Sequence, residues 1–223
     1  MVHNRRWALI LAMGAVNRPL NVGGECELRG RGVSDSAKLD GEQFAGREVA
    51  VVGGGDAAAE EALFLALRVG RVTLIHHRPR LRASAAAAAR WRTRPNVVVL
   101  TSTRVLAVHG RHHVTGVRLC SAHTAAEYDI DVAAVFIAIG QTPRSDLLSG
   151  LVDLDAHGYI QTRGQGTGTG TAVYGVFAAG DLVDRRYRQA VIAAATGCQA
   201  ALDAQRWLTQ TLTATADVTD VKE

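Results

Sequence analysis

Hydrophobic and polar positions along the chain change period several times, and each change predicts an element. Trp7 to Gly14 (WALILAMG) is a continuous apolar run closed by glycine, the pattern of a parallel strand buried on both faces. Residues 17–46 lose that regularity. Pro19 and six glycines (Gly23, Gly24, Gly30, Gly32, Gly41, Gly46) make them read as a linker. Glu48 to Gly53 is apolar again and leads through Gly53-Gly54-Gly55 into a stretch where Ala59, Ala62, Leu63, Ala66 and Leu67 recur at helical spacing. This predicts a helix over 56–69, stopped at Gly70, and a second strand over Arg71–Ile75. Strand, helix and strand within about 30 residues form a βαβ unit. Residues 97–108, 114–119 and 129–139 read as three further strands, a β-meander turning at Gly110 and around His123 to Glu127. A Gly/Thr loop follows at 164–170, then a short strand at 174–179 running into Gly180-Asp181. An amphipathic helix is predicted over 189–208, with Val191, Ala194, Cys198, Ala201 and Leu202 on one face. Residues 209–223 are polar and Thr-rich and read as a flexible tail.

Composition removes several classes. The AVILMFWYC set is 48% and charged residues 21%, which suits a globular α/β chain and not a disordered one. No apolar run approaches the ~18 residues of a bilayer span. Arg5-Arg6 before the Trp7–Val16 run imitates a secretory signal, but no small-x-small cleavage site follows and the strand reading is preferred. Cys26, Cys120 and Cys198 lie far apart without a CxxC spacing, so neither a disulfide scaffold nor a structural zinc site is expected. The adjacent pairs His76-His77 and His112-His113 lack a matching carboxylate or cysteine set, so no metal site is expected either. The net charge of +4 comes almost wholly from arginine, since Lys38 and Lys222 are the two lysines. The arginines are scattered among acids, as on a solvated surface, and a nucleic-acid partner is not expected.

Chemistry concentrates at the glycine turn. Gly53-Gly-Gly55-Asp56-Ala57-Ala58 fits G-x-G-x-x-A between a strand and a helix. The first glycine permits the tight turn, the second lets the backbone approach a pyrophosphate, and Ala58 lets the helix pack close to the sheet. The helix N-terminus then offers free N–H groups to the phosphates. An NAD site places a carboxylate at the end of the second strand for the ribose 2′-OH. Here that place holds His76-His77-Arg78, with Arg82 four residues on, so a 2′-phosphate is the better ligand and NADPH the expected coenzyme; the alternative is a plain basic loop.

Several ordered motifs resemble bacterial thioredoxin reductase: Ala50–Leu63, Leu74–Arg78, Phe136–Gly140, Gly175–Asp181, Tyr187–Ala190 and Thr196–Ala204. The similarity runs from about residue 7 to 208. It implies an α/β fold in which a Rossmann-like NADPH domain (βαβ plus β-meander, 46–139) is inserted into an FAD-binding α/β domain (1–45 with 140–208). It also implies a cytoplasmic homodimeric flavoprotein in which Ile139, Gly140 and Gly180 are cofactor-binding positions. By the same resemblance Asp181 holds the flavin's ribityl-side hydroxyls, and Arg188-Gln189-Ala190 begin the helix whose positive end faces the isoalloxazine.

The chain departs from that family at two places. Gly32–Gly41 aligns with the segment carrying C-A-T-C-D-G, but the cysteine positions hold Ser36 and Leu39. Neither forms a thiolate, so exchange with a disulfide has no route, no catalytic residue is assigned, and thioredoxin is not expected as a partner. Asp40 stands where the family keeps a proton donor and is expected to serve as a turn residue. The family's upstream FAD-binding βαβ unit has no counterpart, which leaves the FAD domain truncated and FAD retention in question. Met13-Gly14-Ala15 replaces the family's Thr-Gly-Ala. The strands at 7–14 and 174–179 are then expected to expose apolar edges unless a homodimer partner or a second chain completes the domain. Three readings follow: an NADPH:FAD oxidoreductase with a different acceptor, an NADP(H)-binding module without turnover, and a non-functional fragment.

Overall fold

The computed structural model describes residues 7–162 and 168–219. Arg5-Arg6, positions 164–167 of the expected Gly/Thr loop and the last four residues of the expected tail lie outside the described residues. In chain order the elements are β1 (Leu9–Leu11), β2 (Ala15–Asn17), β3 (Val33–Ser34), α1 (Ala37–Asp40), β4 (Glu48–Gly53), α2 (Asp56–Ala66), β5 (Arg71–Ile75), α3 (Ala85–Arg92), β6 (Val97–Leu100), β7 (Thr103–Gly110), β8 (Val114–Ser121), β9 (Glu127–Asp131), β10 (Ala134–Ala138), β11 (Gln141–Pro143), β12 (Val176–Ala178) and α4 (Ala190–Thr219). They form two compact units, Asn17–Gly140 and Met1–Val16 with Gln141–Glu223.

The inner unit is built on a five-stranded parallel sheet in the order β3-β10-β4-β5-β6. Its central strands are apolar on both faces because both are covered. Val49, Val51, Val72, Leu74 and Phe136 point to one side, where Ala58, Ala59, Ala62 and Leu65 of α2 and Trp91 of α3 fill the core. Ala50, Val52, Ile75, Val135 and Ile137 point to the other and meet Val108, Val117 and Leu119. Those three belong to the antiparallel sheet β7-β8-β9, the meander that roofs the second face.

Several boundaries differ from the sequence expectation. The strand expected over 97–108 is two: β6 joins the parallel sheet, and after Ser102, at a φ of 50°, β7 enters the meander. The strand expected over 129–139 likewise splits into β9 and the parallel β10. Helix α2 ends at Ala66, short of the expected 69, where the Asn96 amide donates to the carbonyls of Ala66 (2.9 Å) and Val69 (3.3 Å). Helix α3 was not anticipated; the Ser84 hydroxyl caps it by accepting from Ala87 N. The supposed linker is part of the inner unit, which begins at Asn17 and not near 46. Leu28 and Val33 are buried in one core and Ala37 in the other, and β3 pairs with β10. Glu25 is buried there too, accepting from Asn21 N (2.8 Å) and pairing with Arg29 (3.1 Å).

In the flanking unit β1 runs parallel to β12, and β2 pairs with β11. Leu11, Ile160, Ala178 and Leu182 make one small core, and Phe177 and Ala179 pack on Ala200 and Ala204 of α4. The expected strand over 7–14 is thus shorter, and only its end is buried: Leu9 is 55% and Ile10 39% exposed, while Leu11 is buried. Helix α4 continues through Thr219, so most of the expected flexible tail is helical, with no glycine or proline to stop it. No described helix is long and apolar enough to cross a membrane.

Candidate functional site

The registers place Gly53 beside Ala138 and Val52 beside Ile75, so the carboxyl ends of β10, β4 and β5 lie side by side. In open parallel sheets a ligand sits at such an edge. At Gly53 a Cβ would stand 2.4 Å from the Ala138 carbonyl oxygen and 2.6 Å from the Ala58 Cβ, so the turn closes against β10 only as glycine. At Gly55 a Cβ would meet nothing within 4 Å, and the backbone there faces open space ahead of α2. Asp56 and Ala57 open the helix, and Ala58 is fully buried beneath it. Ile139 packs against the meander-side core, and Gly140, at a φ of 100°, ends the unit.

Gly54 does something that the fingerprint alone does not announce. Its carbonyl accepts from Arg82 N (2.6 Å) and Ala83 N (3.0 Å), and Asp56 Oδ1 accepts from Ser84 N (2.8 Å). These bonds tie the basic loop after β5 directly to the glycine turn. Of the four basic positions expected there, His77, Arg78 and Arg82 are exposed and face solvent. His76 is buried, with its ring under Gly54, where a Cβ would stand 2.3 Å from Nδ1. Burial pushes the His76 imidazole below its usual value, and neighbouring His77 adds to this, so it is neutral at physiological pH. Its Nε2 is buried without a hydrogen-bond partner. His76 therefore supports the turn, and the outward-facing basic side chains are His77, Arg78 and Arg82.

In the flanking unit Gly180, at a φ of 71°, turns the chain from β12 into a short 3₁₀ segment that carries Asp181. Thr196 of α4 accepts from Gly180 N (2.9 Å) and so fixes this turn against the helix. Asp181 is half-buried, and its carboxylate has no hydrogen bond or ion pair among the described residues. Ahead of α4, Asp184 gathers the N–H groups of Arg186 (2.8 Å), Tyr187 (2.9 Å) and Arg188 (2.6 Å) and holds Arg188 at a φ of 50°. Burial would raise the Asp184 carboxyl, but these donors outweigh it and hold it below the usual carboxylate range. Gln189 accepts from Ile192 N and Ala193 N, and Ala190 begins the helix with no acidic residue in its first turn. Asp184 has no motif to mark it, and Thr196 stands in the sequence only as the start of a motif, without this role. Their partners are backbone amides, which no side-chain pattern reveals.

The segment aligned with a dithiol is chemically quiet. Ser36 stands at the N-cap of α1 without capping it, and Leu39 is 83% exposed. Asp40 accepts from the Ser34 hydroxyl at 2.5 Å, a turn-closing bond. Beneath α1, Glu61 is pushed up from 4.5 to about 7 by burial and by Asp35, against the opposing pull of Ala37 N–H and Lys38. Among the described residues no group of three or more His, Cys, Asp or Glu side chains is placed to hold a metal ion.

Comparison with known proteins agrees with this arrangement. Residues 7–197 match the family described as pyridine nucleotide-disulphide oxidoreductase. The chain is 50% identical over 203 residues to the bifunctional thioredoxin reductase/thioredoxin of Mycobacterium leprae, covering 91% of this chain and 44% of that protein. It is equally 50% identical over 203 residues to a thioredoxin reductase of Mycolicibacterium smegmatis, covering 91% of this chain and 65% of that one. Among solved structures, thioredoxin reductase from Giardia duodenalis superposes with a TM-score of 0.76 at 37% identity, over 91% of this chain and 66% of that chain. This chain therefore spans less than two thirds of either bacterial relative. By the family match, the identity and the parallel α/β architecture together, it belongs to the pyridine nucleotide-disulphide oxidoreductases and within them to the thioredoxin reductase class.

Proposed function

We propose that the inner unit binds NADPH, and that the chain serves a thioredoxin-reductase-like oxidoreductase whose electrons leave to an acceptor other than a CxxC disulfide. The observation that carries this reading is the tie between the glycine turn and the basic loop. A pyrophosphate over Gly55 meets backbone N–H groups and the positive end of α2. The bonds from Gly54 to Arg82 and Ala83 hold the guanidinium loop at a fixed reach from that point, which favours a second phosphoryl group on the ribose. Ile139 and Gly140, next to the turn, are read as part of the same site.

The flanking unit holds residues that fit a flavin. The unpartnered Asp181 carboxylate is free to accept from sugar-like hydroxyls, and Arg188, Gln189 and Ala190 present a helix end favouring negative charge. FAD, when bound, would take hydride from the reduced nicotinamide. The chain's own part is to accept hydroxyl donors at Asp181 and to offer amides at the start of α4. The exposed Leu9 and Ile10 support a second copy or a separate chain covering β1. The exposed Leu39, with Ser36, favours a second reading, an NADP(H)-binding module without turnover.

Titration calorimetry at low salt tests the coenzyme assignment. NADPH is expected to bind more tightly than NADH. Arg78→Ala and Arg82→Ala should each weaken NADPH by about tenfold or more and leave NADH almost unchanged, the size of one charge-assisted bond. Equal affinity for the two coenzymes, or variants without effect, would overturn the assignment. Flavin absorbance in the purified protein, with NADPH-dependent bleaching, separates the oxidoreductase from the module.

A further inference from the structure

Beside the basic loop, on the outer side of the sheet, lies a cleft of about 530 Å³ between residues 80–83, α3 and β6. Its size falls within the ~300–1,000 Å³ of small-molecule sites. Five of its eight lining residues are apolar: Leu81, Ala83, Trp91, Val97 and Val99. Strand β6 is the edge of the parallel sheet, so no further strand covers this side. Trp91 is only 6% exposed and belongs to the core that forms the floor of the cleft.

Two arginines, Arg80 and Arg94, line the same cleft. Both are exposed, and neither guanidinium has a carboxylate partner among the described residues. Between Glu61 and Glu127 the sequence has no Asp or Glu against eleven arginines, and Glu60, which shares a neighbouring cavity with Arg94, forms no ion pair with it among the described residues. Unpaired guanidiniums above an apolar floor suit one chemistry. Arginine binds carboxylate bidentately and is weakly hydrated, and an apolar body removes the cleft walls from water. An inorganic anion would leave the five apolar walls wet. A neutral hydrocarbon would leave the arginines unpaired.

We propose that this cleft binds a medium-chain organic carboxylate, its head between Arg80 and Arg94 and its chain on Leu81, Trp91, Val97 and Val99. The site is separate from the proposed coenzyme site, which uses Arg78 and Arg82, and does not depend on that reading.

Octanoate is the probe, with 1-octanol and inorganic phosphate as controls. At low salt octanoate should bind by calorimetry and shift the Trp91 indole N–H signal in a ¹H–¹⁵N spectrum, assigned with Trp91→Phe. Both controls should bind more weakly. The double variant Arg80→Glu/Arg94→Glu should lose about tenfold or more in octanoate affinity, the size expected of hydrogen bonds to a charged group. If that reversal lowers the thermal midpoint, Arg80→Gln/Arg94→Gln gives the same reading. Saturating NADPH should leave octanoate binding in place. An unmoved Trp91 signal, octanol binding as tightly as octanoate, unchanged affinity in the arginine variants, or displacement by NADPH would each overturn the proposal.

Discussion

A single methyl group separates Gly54 from alanine, and the structure has no room for it. The added carbon would stand 2.3 Å from the buried His76 ring, so the ring or the turn must shift. Gly54→Ala is expected to lower stability by about 1–3 kcal/mol, the range for overpacking a tight site, and to loosen the Arg82 loop with it. Urea midpoints and NADPH titration of the same variant check both effects. Glu61 gives a pH dependence. Its folded pKa of about 7 stands above the ordinary 4.5, so the folded state keeps a proton that the unfolded state has already released. Its contribution is complete below about pH 4.5 and is lost as pH rises through about 7. Glu61→Gln should flatten the fall in urea midpoint across that window and make the variant relatively more stable at pH 8. At this scale the sequence disclosed what is local. Gly53, Gly55 and Ala58 stand in a fixed spacing, and Arg78 and Arg82 follow a strand end. The bond from Asp56 to Ser84 spans 28 residues, and the burial of Glu61 depends on α1, so neither has a local signature.

Among the elements, β4, α2 and β5 were legible because a continuous apolar run and a helical period are bounded by glycines. Two apolar runs each hold two strands, for a common reason. Residues 97–108 and 129–139 stay apolar across a change of sheet, and hydrophobicity does not record the sharp bend at Ser102 or the step between β9 and β10. Helix α3 was hidden by its own composition. A run of alanines has high propensity but no amphipathic period, and only Ser84 marks its start. The end of α2 is held by Asn96, which lies 30 residues beyond Ala66 and ties the chain ahead of β6 to the last helical carbonyl, Ala66, and to that of Val69 in the turn that follows. Asn96→Ala should remove both bonds and lower stability by about 1–2 kcal/mol, read as a reduced thermal midpoint and faster amide exchange in the last turn of α2.

For the molecule as a whole, the order of motifs disclosed the family, and the partition into units corrected where one unit begins. Residues 17–45 resemble a linker in composition, yet Leu28, Val33 and Ala37 enter the cores of the inner unit. Their apolar positions are too widely spaced by glycines to show a period. The inner unit owns two cores and a complete parallel sheet, so Asn17–Gly140 expressed alone is expected to unfold cooperatively and to retain NADPH binding. Loss of cooperative unfolding in that segment, while the whole chain keeps it, would show the flanking residues to be essential.

Arg18 donates its amide to the carbonyl of Gly140 across 3.0 Å. Entrance and exit of a segment of more than a hundred residues thus share one doorway. A segment whose own ends are bonded to each other is one that recombination can excise, exchange or graft elsewhere as a piece.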